Sequence, residues 1–322
     1  MQVVRAGRLE ELGWEVARPV VGMGTLDGVH LGHQALLAQV KARAAELHGT
    51  PAAVTFARHP LEVVRPAEAP PLITPLPLKL RLLEGLGIRA AVVLEFTPAL
   101  ASLAAAAFVE QGLVGRLHIA GLCVGYDFGF GRGREGTPAL LAELAPRLGF
   151  QLDVLPPVRV DGEPVGSRAI RKLLAAGDVA GAQRLLGRPY CLEGVVEQGA
   201  GRGAALGFAT ANVPVPEPAA LRDGVYAGRL LVRGEFRDAM MNLGVAPTFG
   251  DGRHRLEVHL PGWQEPLYGE WVVAFFLRRL RDEMRFPDAD ALARQLRADR
   301  LAAEAAWGAA RVMCWTEWAL QP

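Results

Sequence analysis

At 322 residues the chain exceeds the usual single-domain size, and its 51% hydrophobic content suffices for a core in each of two domains. Thirty-five basic and 34 acidic side chains leave a formal charge of +1, which excludes a global field for nucleic acid or a membrane surface and makes any phosphate chemistry local. Cys123, Cys191 and Cys314 are odd in number and far apart, which excludes a disulfide framework and a Cys-rich zinc site and fits the cytoplasm.

The first 14 residues carry charges and lack the apolar stretch of a leader. No later run offers about 18 uninterrupted apolar residues, so the chain reads as soluble. Short β-prone runs at 19–23, 52–56, 90–96, 118–125 and 151–155 alternate with helical patterns, which predicts an α/β fold with a parallel, doubly wound sheet. Leu36, Leu37, Val40, Ala44 and Leu47 share one helical face, so a helix starts near His30–His33; further helices are predicted at 77–86, 104–117 and 137–148. A helical bridge follows at 167–176 and 178–186. Beyond about Tyr190, strand candidates at 192–197, 224–232, 236–243, 256–260 and 271–276 are separated by Gly and Pro, the pattern of a small β-barrel. A last helical stretch runs from about Asp288 toward Leu320. The expected domains are 1–186 and 187–322.

Gly24-Thr-Leu-Asp27-Gly-Val-His30-Leu-Gly32-His33 falls at a strand-to-helix junction, where unpaired amides and the helix dipole favour an anion. Two imidazoles three residues apart there can face one triphosphate, Gly32 leaves room for a close phosphate, and the histidines can donate to oxygens that gain charge as pyrophosphate departs. Thr55-Phe-Ala-Arg-His59-Pro60 follows the second of these strands, and Gly125-Tyr-Asp127-Phe128-Gly-Phe130-Gly131 the fourth. With these three motifs the chain resembles the bifunctional riboflavin kinase/FAD synthetase family, over about residues 20–306. The resemblance implies a nucleotidyltransferase-like N-terminal fold in which His30 and His33 act on ATP, with Gly24, Asp27, Gly32, His59, Pro60, Asp127 and Phe128 binding ATP or FMN. Gly166-Ser167-Arg-Ala-Ile-Arg171 is similar to the family's Ser-Ser-Thr-x-Ile-Arg loop, so Ser167 would bind ATP and Arg171 would pair with pyrophosphate. Departures stand at Thr25, Leu26, Ala57, Arg58, Gly166 and Arg168.

Gly199-Ala-Gly201-Arg-Gly203 leading into Leu206-Gly207-Phe208-Ala209-Thr210-Ala-Asn212 resembles the riboflavin kinase signature, with Ala209 where the family has proline. Glycines admit phosphate oxygens to the backbone, and Thr210 and Asn212 share one face of an extended strand, where their oxygens suit Mg²⁺. Gly224-Val-Tyr226, Asn242-Leu-Gly-Val-Ala-Pro247-Thr248-Phe249, Leu256-Glu257-Val-His259 and Leu280-Arg281-Asp-Glu283 follow in family order. The resemblance implies that Glu257 is the catalytic carboxylate, taking the proton of the riboflavin 5′-hydroxyl as it attacks the γ-phosphate. Gly201, Gly203, Gly207, Tyr226 and Arg281 would bind ATP or flavin; the bland reading of Arg281 is a surface pair with Asp282 or Glu283. Glu257 shares a strand face with His259.

The implied activity makes FMN from riboflavin and then FAD from FMN, with ATP as co-substrate and Mg²⁺ in both steps. The departures leave a second reading, a riboflavin kinase whose N-terminal half is only a nucleotide-binding or structural module. The implied partners are small-molecule substrates, with neither nucleic acid nor membrane. Trp307, Arg311, Trp315 and Trp318 lie along one side of a helix, which packs on the barrel or serves self-association.

Overall fold

The computed structural model describes residues 1–198, 210–215, 218–245 and 254–310, and they divide into two compact units: 1–70 with 74–166, and 71–73 with the residues from 167 onward. In the first unit, apolar runs become strands because both faces of a parallel sheet are covered. Six strands among the described residues form it: β1 (Gln2–Ala6), β2 (Pro19–Met23), β3 (Thr50–Phe56), β4 (Ala90–Leu94), β5 (Gly121–Gly125) and β6 (Gln151–Leu155), in the order β1-β4-β3-β2-β5-β6 and all parallel. The helices are α1 (Leu31–Glu46), the short α2 (Leu61–Val64), α3 (Leu76–Gly85), the short α4 (Pro98–Ala101) and α5 (Ala105–Ala107), and α6 (Pro138–Leu148). Leu36, Leu37, Val40 and Ala44 of α1 are buried as their spacing requires. A small hairpin, β7 (Arg159–Val160) and β8 (Glu163–Pro164), ends the unit.

Three local expectations change. β1 escapes a reading based on apolar runs because it is an edge strand with only Ala6 buried, yet it pairs along its length with β4. The strand expected at 118–125 starts at Gly121, because His118 sits at φ +49, in the left-handed region. The helix expected at 104–117 is α5 followed by a π-helical segment, Phe108–Val114. Gly112 of that segment lies against Leu9 and Leu12, where an added Cβ would come within 3.0 Å of the Leu9 side chain.

In the second unit α7 (Ser167–Ala176) and α8 (Val179–Leu186) precede six antiparallel strands: β9 (Tyr190–Val195), β10 (Thr210–Pro214), β11 (Gly224–Val232), β12 (Glu235–Val245), β13 (His254–His259) and β14 (Trp271–Arg281). Asp178 caps α8 by accepting from the Gly181 amide at 2.8 Å. The strand order is β10-β13-β12-β11-β14-β9, and a bridge between Glu197 and Asn212 brings the two edges together into the small barrel. Alternation decides its faces. Val213, Leu256, Val258, Met241, Leu243, Tyr226 and Leu230 turn inward, where Ile170, Leu174 and Leu186 of the two helices join the same core. The helix α9 (Ala289–Ala310) packs Ala303 and Trp307 on outward-facing Ala227 and Met240. Arg311, Cys314, Trp315 and Trp318 lie outside the described residues, whereas Cys123 and Cys191 are buried free thiols.

Candidate functional site

In the first unit three motif loops leave the C-terminal ends of three adjacent strands, β3, β2 and β5, in that spatial order. The chain turns back between β2 and β5, the kind of switch point where an open α/β sheet gathers ligands. His30 caps α1: its Nδ1 accepts the His33 amide at 3.3 Å, and its ring stacks on His33 with centroids 3.6 Å apart and planes 16° off parallel. An accepting Nδ1 assigns the proton of the neutral ring to Nε2. Burial first, then the neighbouring His30 and the Lys79 ammonium, hold His33 well below the ordinary histidine pKa of 6.5. Its Nδ1 is buried with no hydrogen-bond partner among the described residues. The pair is therefore a set of neutral N–H donors at a helix N-terminus, suited to charge developing on phosphate oxygens.

The remaining candidate residues are divided between the two units. The space on the Cβ side of Gly32 is occupied by the His30 ring, since an added Cβ would meet it at 3.2 Å. Asp27 is only 2% exposed and accepts the Thr74 amide at 3.0 Å, so its carboxylate faces inward and anchors the loop begun by Gly24. His59 accepts the Leu61 amide on Nδ1 at 3.2 Å and Pro60 opens α2, while Asp127 is exposed and Phe128 stacks on Phe130 at 5.3 Å. Ser167 opens α7 in the second unit, where half-buried Arg171 donates from Nε to the Pro71 carbonyl at 2.9 Å. Gly166 ends the first unit and Arg168 is exposed.

On the barrel, Asn212, Glu257 and Asn242 stand side by side, because β13 pairs Glu257 with Asn212 of β10 on one side and with Asn242 of β12 on the other. The row lies on the outer face, opposite the inward Leu256 and Val258. Thr210 and His259 form the neighbouring row on that face. Burial, and after it the Glu283 carboxylate, raise the proton affinity of half-buried Glu257. Glu283 accepts from Asn242 Nδ2 at 3.1 Å and rests on Gly244, where an added Cβ would fall 2.2 Å from its oxygen. Asn212 is 5% exposed, and its Oδ1 has no hydrogen-bond partner among the described residues.

Two expected kinase ligands lie elsewhere. Tyr226 is fully buried in the barrel interior, its hydroxyl donating to the Arg222 carbonyl and its ring edge-on to Phe276, so it belongs to the core. Arg281 donates to the backbone carbonyl of Asp282 at 2.9 Å rather than to the Asp282 or Glu283 carboxylate; it forks onto buried Asp299 of α9 at 2.9 and 2.7 Å and thereby ties β14 to that helix. Gly201, Gly203 and Gly207 lie outside the described residues, as do Gly199 and Pro247 to Phe249.

Residues 14–169 match the family model for FAD synthetase and residues 186–307 the model for riboflavin kinase. A bifunctional riboflavin kinase/FMN adenylyltransferase of Pseudomonas fluorescens is 38% identical over 306 residues, spanning 95% of this chain and 97% of its own. The chain belongs to the bifunctional riboflavin kinase/FMN adenylyltransferase family. Its relatives of the same description in Haemophilus influenzae and Escherichia coli are each 35% identical, over 86% and 90% of this chain. A solved structure described as a macrolide-efflux protein from Streptococcus pneumoniae has the same fold, with a TM-score of 0.82 at 27% identity over 94% of this chain and 99% of that one. Among the described residues no helix is long and apolar enough to cross a membrane. Matches to both halves favour the two-activity reading of this riboflavin kinase/FMN adenylyltransferase family member over the kinase-only one.

Two residues near these sites, Lys79 and Asp299, stood outside every motif of the sequence reading, while Asn242 and Glu283 stood in motifs without a site role of their own. Lys79 had a signal, a lysine on the buried face of a helix beside Leu78, Leu82 and Leu83. Asp299 had none, since its partner is 18 residues away on a strand.

Proposed function

We propose that the chain phosphorylates riboflavin to FMN on its C-terminal barrel and adenylylates FMN to FAD on its N-terminal sheet, each step using ATP, in the cytoplasm. The functional boundary falls at 1–186 and 187–322, with α7 and α8 as the bridge. The observation that carries the reading is that each half presents its own phosphate-directed group: a stacked neutral histidine pair at a helix start, and a carboxylate of raised proton affinity beside an orphaned oxygen.

On the barrel, Glu257 accepts the 5′-hydroxyl proton of riboflavin as that oxygen forms its bond to the γ-phosphorus and the bond to ADP breaks. A carboxylate more basic than usual suits the task, because an alcohol is a poor nucleophile while protonated. Mg²⁺ fits this face, since the buried Asn212 Oδ1 is a hard donor without a partner and Thr210 offers its hydroxyl on the same face. When bound, the ion supplies positive charge to the transferring phosphate.

At the sheet, an FMN phosphate oxygen attacks the α-phosphorus of ATP and pyrophosphate leaves. The nucleophile is already anionic, so the need is for charge stabilisation rather than a base. His30 and His33 supply N–H donors to the phosphate oxygens; for Ser167 and Arg171 the role at the pyrophosphate is what the family resemblance implies. His59, Pro60, Asp127 and Phe128, at the ends of β3 and β5, contact the nucleotide or flavin. The deciding experiment feeds purified protein with FMN and ATP, and separately with riboflavin and ATP. FAD with pyrophosphate from the first and FMN with ADP from the second are expected; absence of FAD would leave the kinase alone.

A further inference from the structure

The loop between β2 and α1 is strained. Leu26, Gly28 and Val29 have φ of 50, 90 and 42°, and both Leu26 and Val29 are buried. A β-branched residue in the left-handed region persists only where its surroundings over-determine it.

The helix α3, which contributes no motif residue, supplies that grip. Lys79 is 4% exposed on the inner face of α3, and its Nζ donates to the carbonyls of Thr25 at 3.0 Å and Phe56 at 2.9 Å. The Thr55 hydroxyl donates to the same Thr25 carbonyl at 2.9 Å. Just ahead of α3, the Thr74 amide holds the Asp27 carboxylate. These bonds fasten the loop that ends in His30 to the end of β3. An ammonium so enclosed cannot reach a nucleotide, so its effect on one passes through the loop.

We propose that Lys79 is a positioning residue for FMN adenylylation, fixing the strained Gly24–Val29 loop through the Thr25 and Phe56 carbonyls so that His30 and His33 meet the phosphates in one geometry. The inference rests on the adenylyltransferase reading of the first unit. Its electrostatic side agrees with the geometry. Burial pushes Lys79 down to about 8, with Asp27 opposing, which leaves the ammonium mostly charged at pH 7. The titratable groups facing one another here are His30, His33, Asp27 and Lys79, and the ammonium disfavours a positive charge on His33.

The test uses full-length Lys79→Met, which keeps the length of the side chain and removes its charge and donors. FAD formation from FMN should fall at least about tenfold in kcat, riboflavin phosphorylation in the same preparation should be unchanged, and the His33 titration midpoint followed by NMR should move up. FAD synthesis within twofold of wild type overturns the proposal, and so does an equal loss of riboflavin phosphorylation, which would report a general folding defect rather than a misplaced loop. Should Lys79→Met fail to fold, Thr55→Val removes one neutral bond to the same carbonyl; a several-fold loss of FAD synthesis is expected, and none at all counts against the proposal. A wild-type protein that makes no FAD refutes the adenylyltransferase reading instead, while the His33 midpoint still reports whether Lys79 acts on the histidine.

Discussion

His33 of the sheet and Glu257 of the barrel are both perturbed chiefly by burial, and in opposite directions: the imidazole is lowered and the carboxyl raised. The cause is shared, because burial penalises whichever form is charged. The chemical results differ. A neutral histidine keeps an N–H to give to phosphate oxygens without adding a charge of its own, whereas a more basic carboxylate becomes a better proton acceptor. A second positive charge, Lys79, reinforces the first shift, and a second negative charge, Glu283, reinforces the second. Under the proposed assignment, two phosphoryl chemistries on two folds draw on one desolvation effect with opposite neighbours.

The strongest way to break this comparison is Glu257→Gln, which keeps size and hydrogen-bonding reach but cannot take a proton. Riboflavin phosphorylation should drop about 10²–10⁴-fold, roughly 3–5 kcal/mol of barrier. Substrate affinities should stay within a few-fold and FAD formation from supplied FMN should be untouched, as steady-state assays of both reactions will show. A near wild-type rate would remove Glu257 from the mechanism.

Asp299→Ala asks whether the Arg281 fork serves structure. It strands a guanidinium against α9, so urea unfolding should report a loss of about 3 kcal/mol, the low end for a broken buried pair because Arg281 keeps some solvent. If instead kinase KM changes with stability unaltered, Arg281 is a ligand after all.

His33→Ala should lower FAD synthesis about 10²-fold, the loss typical of one preorganised donor, with riboflavin phosphorylation intact. The same group sets a pH sign. With the native pKa lowered, the unfolded chain binds the proton first, so as pH falls through about 6.5 the native state loses stability, and the variant should lack that part of the slope in pH-dependent melting. Loss of both activities in a folded variant would undo the assignment of separate sites.

The smallest effect expected is for Arg171→Ala, about tenfold in adenylyl transfer, since Arg171 is one of several groups for the pyrophosphate. Stopped assays with FMN and ATP measure it, and unchanged FAD synthesis would return the residue to a helix-start role in which its Nε holds the Pro71 carbonyl.

The sequence by itself determined the two-fold plan, the strand-to-helix junction at His30, and the pairing of Glu257 with His259 on one face. Each follows from apolar periodicity or from residues adjacent along the chain, which act over a few residues. Family motifs added the roles. Only the tertiary structure decided that His30 accepts the His33 amide and stacks on its ring, that the His30 ring fills the Cβ side of Gly32, and that Asp27 turns inward. It also placed Tyr226 in the core, Arg281 on Asp299, and Asn212, Glu257 and Asn242 in one row across three strands. Apart from the contacts within His30–His33, between near neighbours, these are contacts between segments 15 to 50 residues apart, or matters of which face is covered. No local pattern encodes them, because register and burial are set by the strand or helix that arrives from elsewhere in the chain.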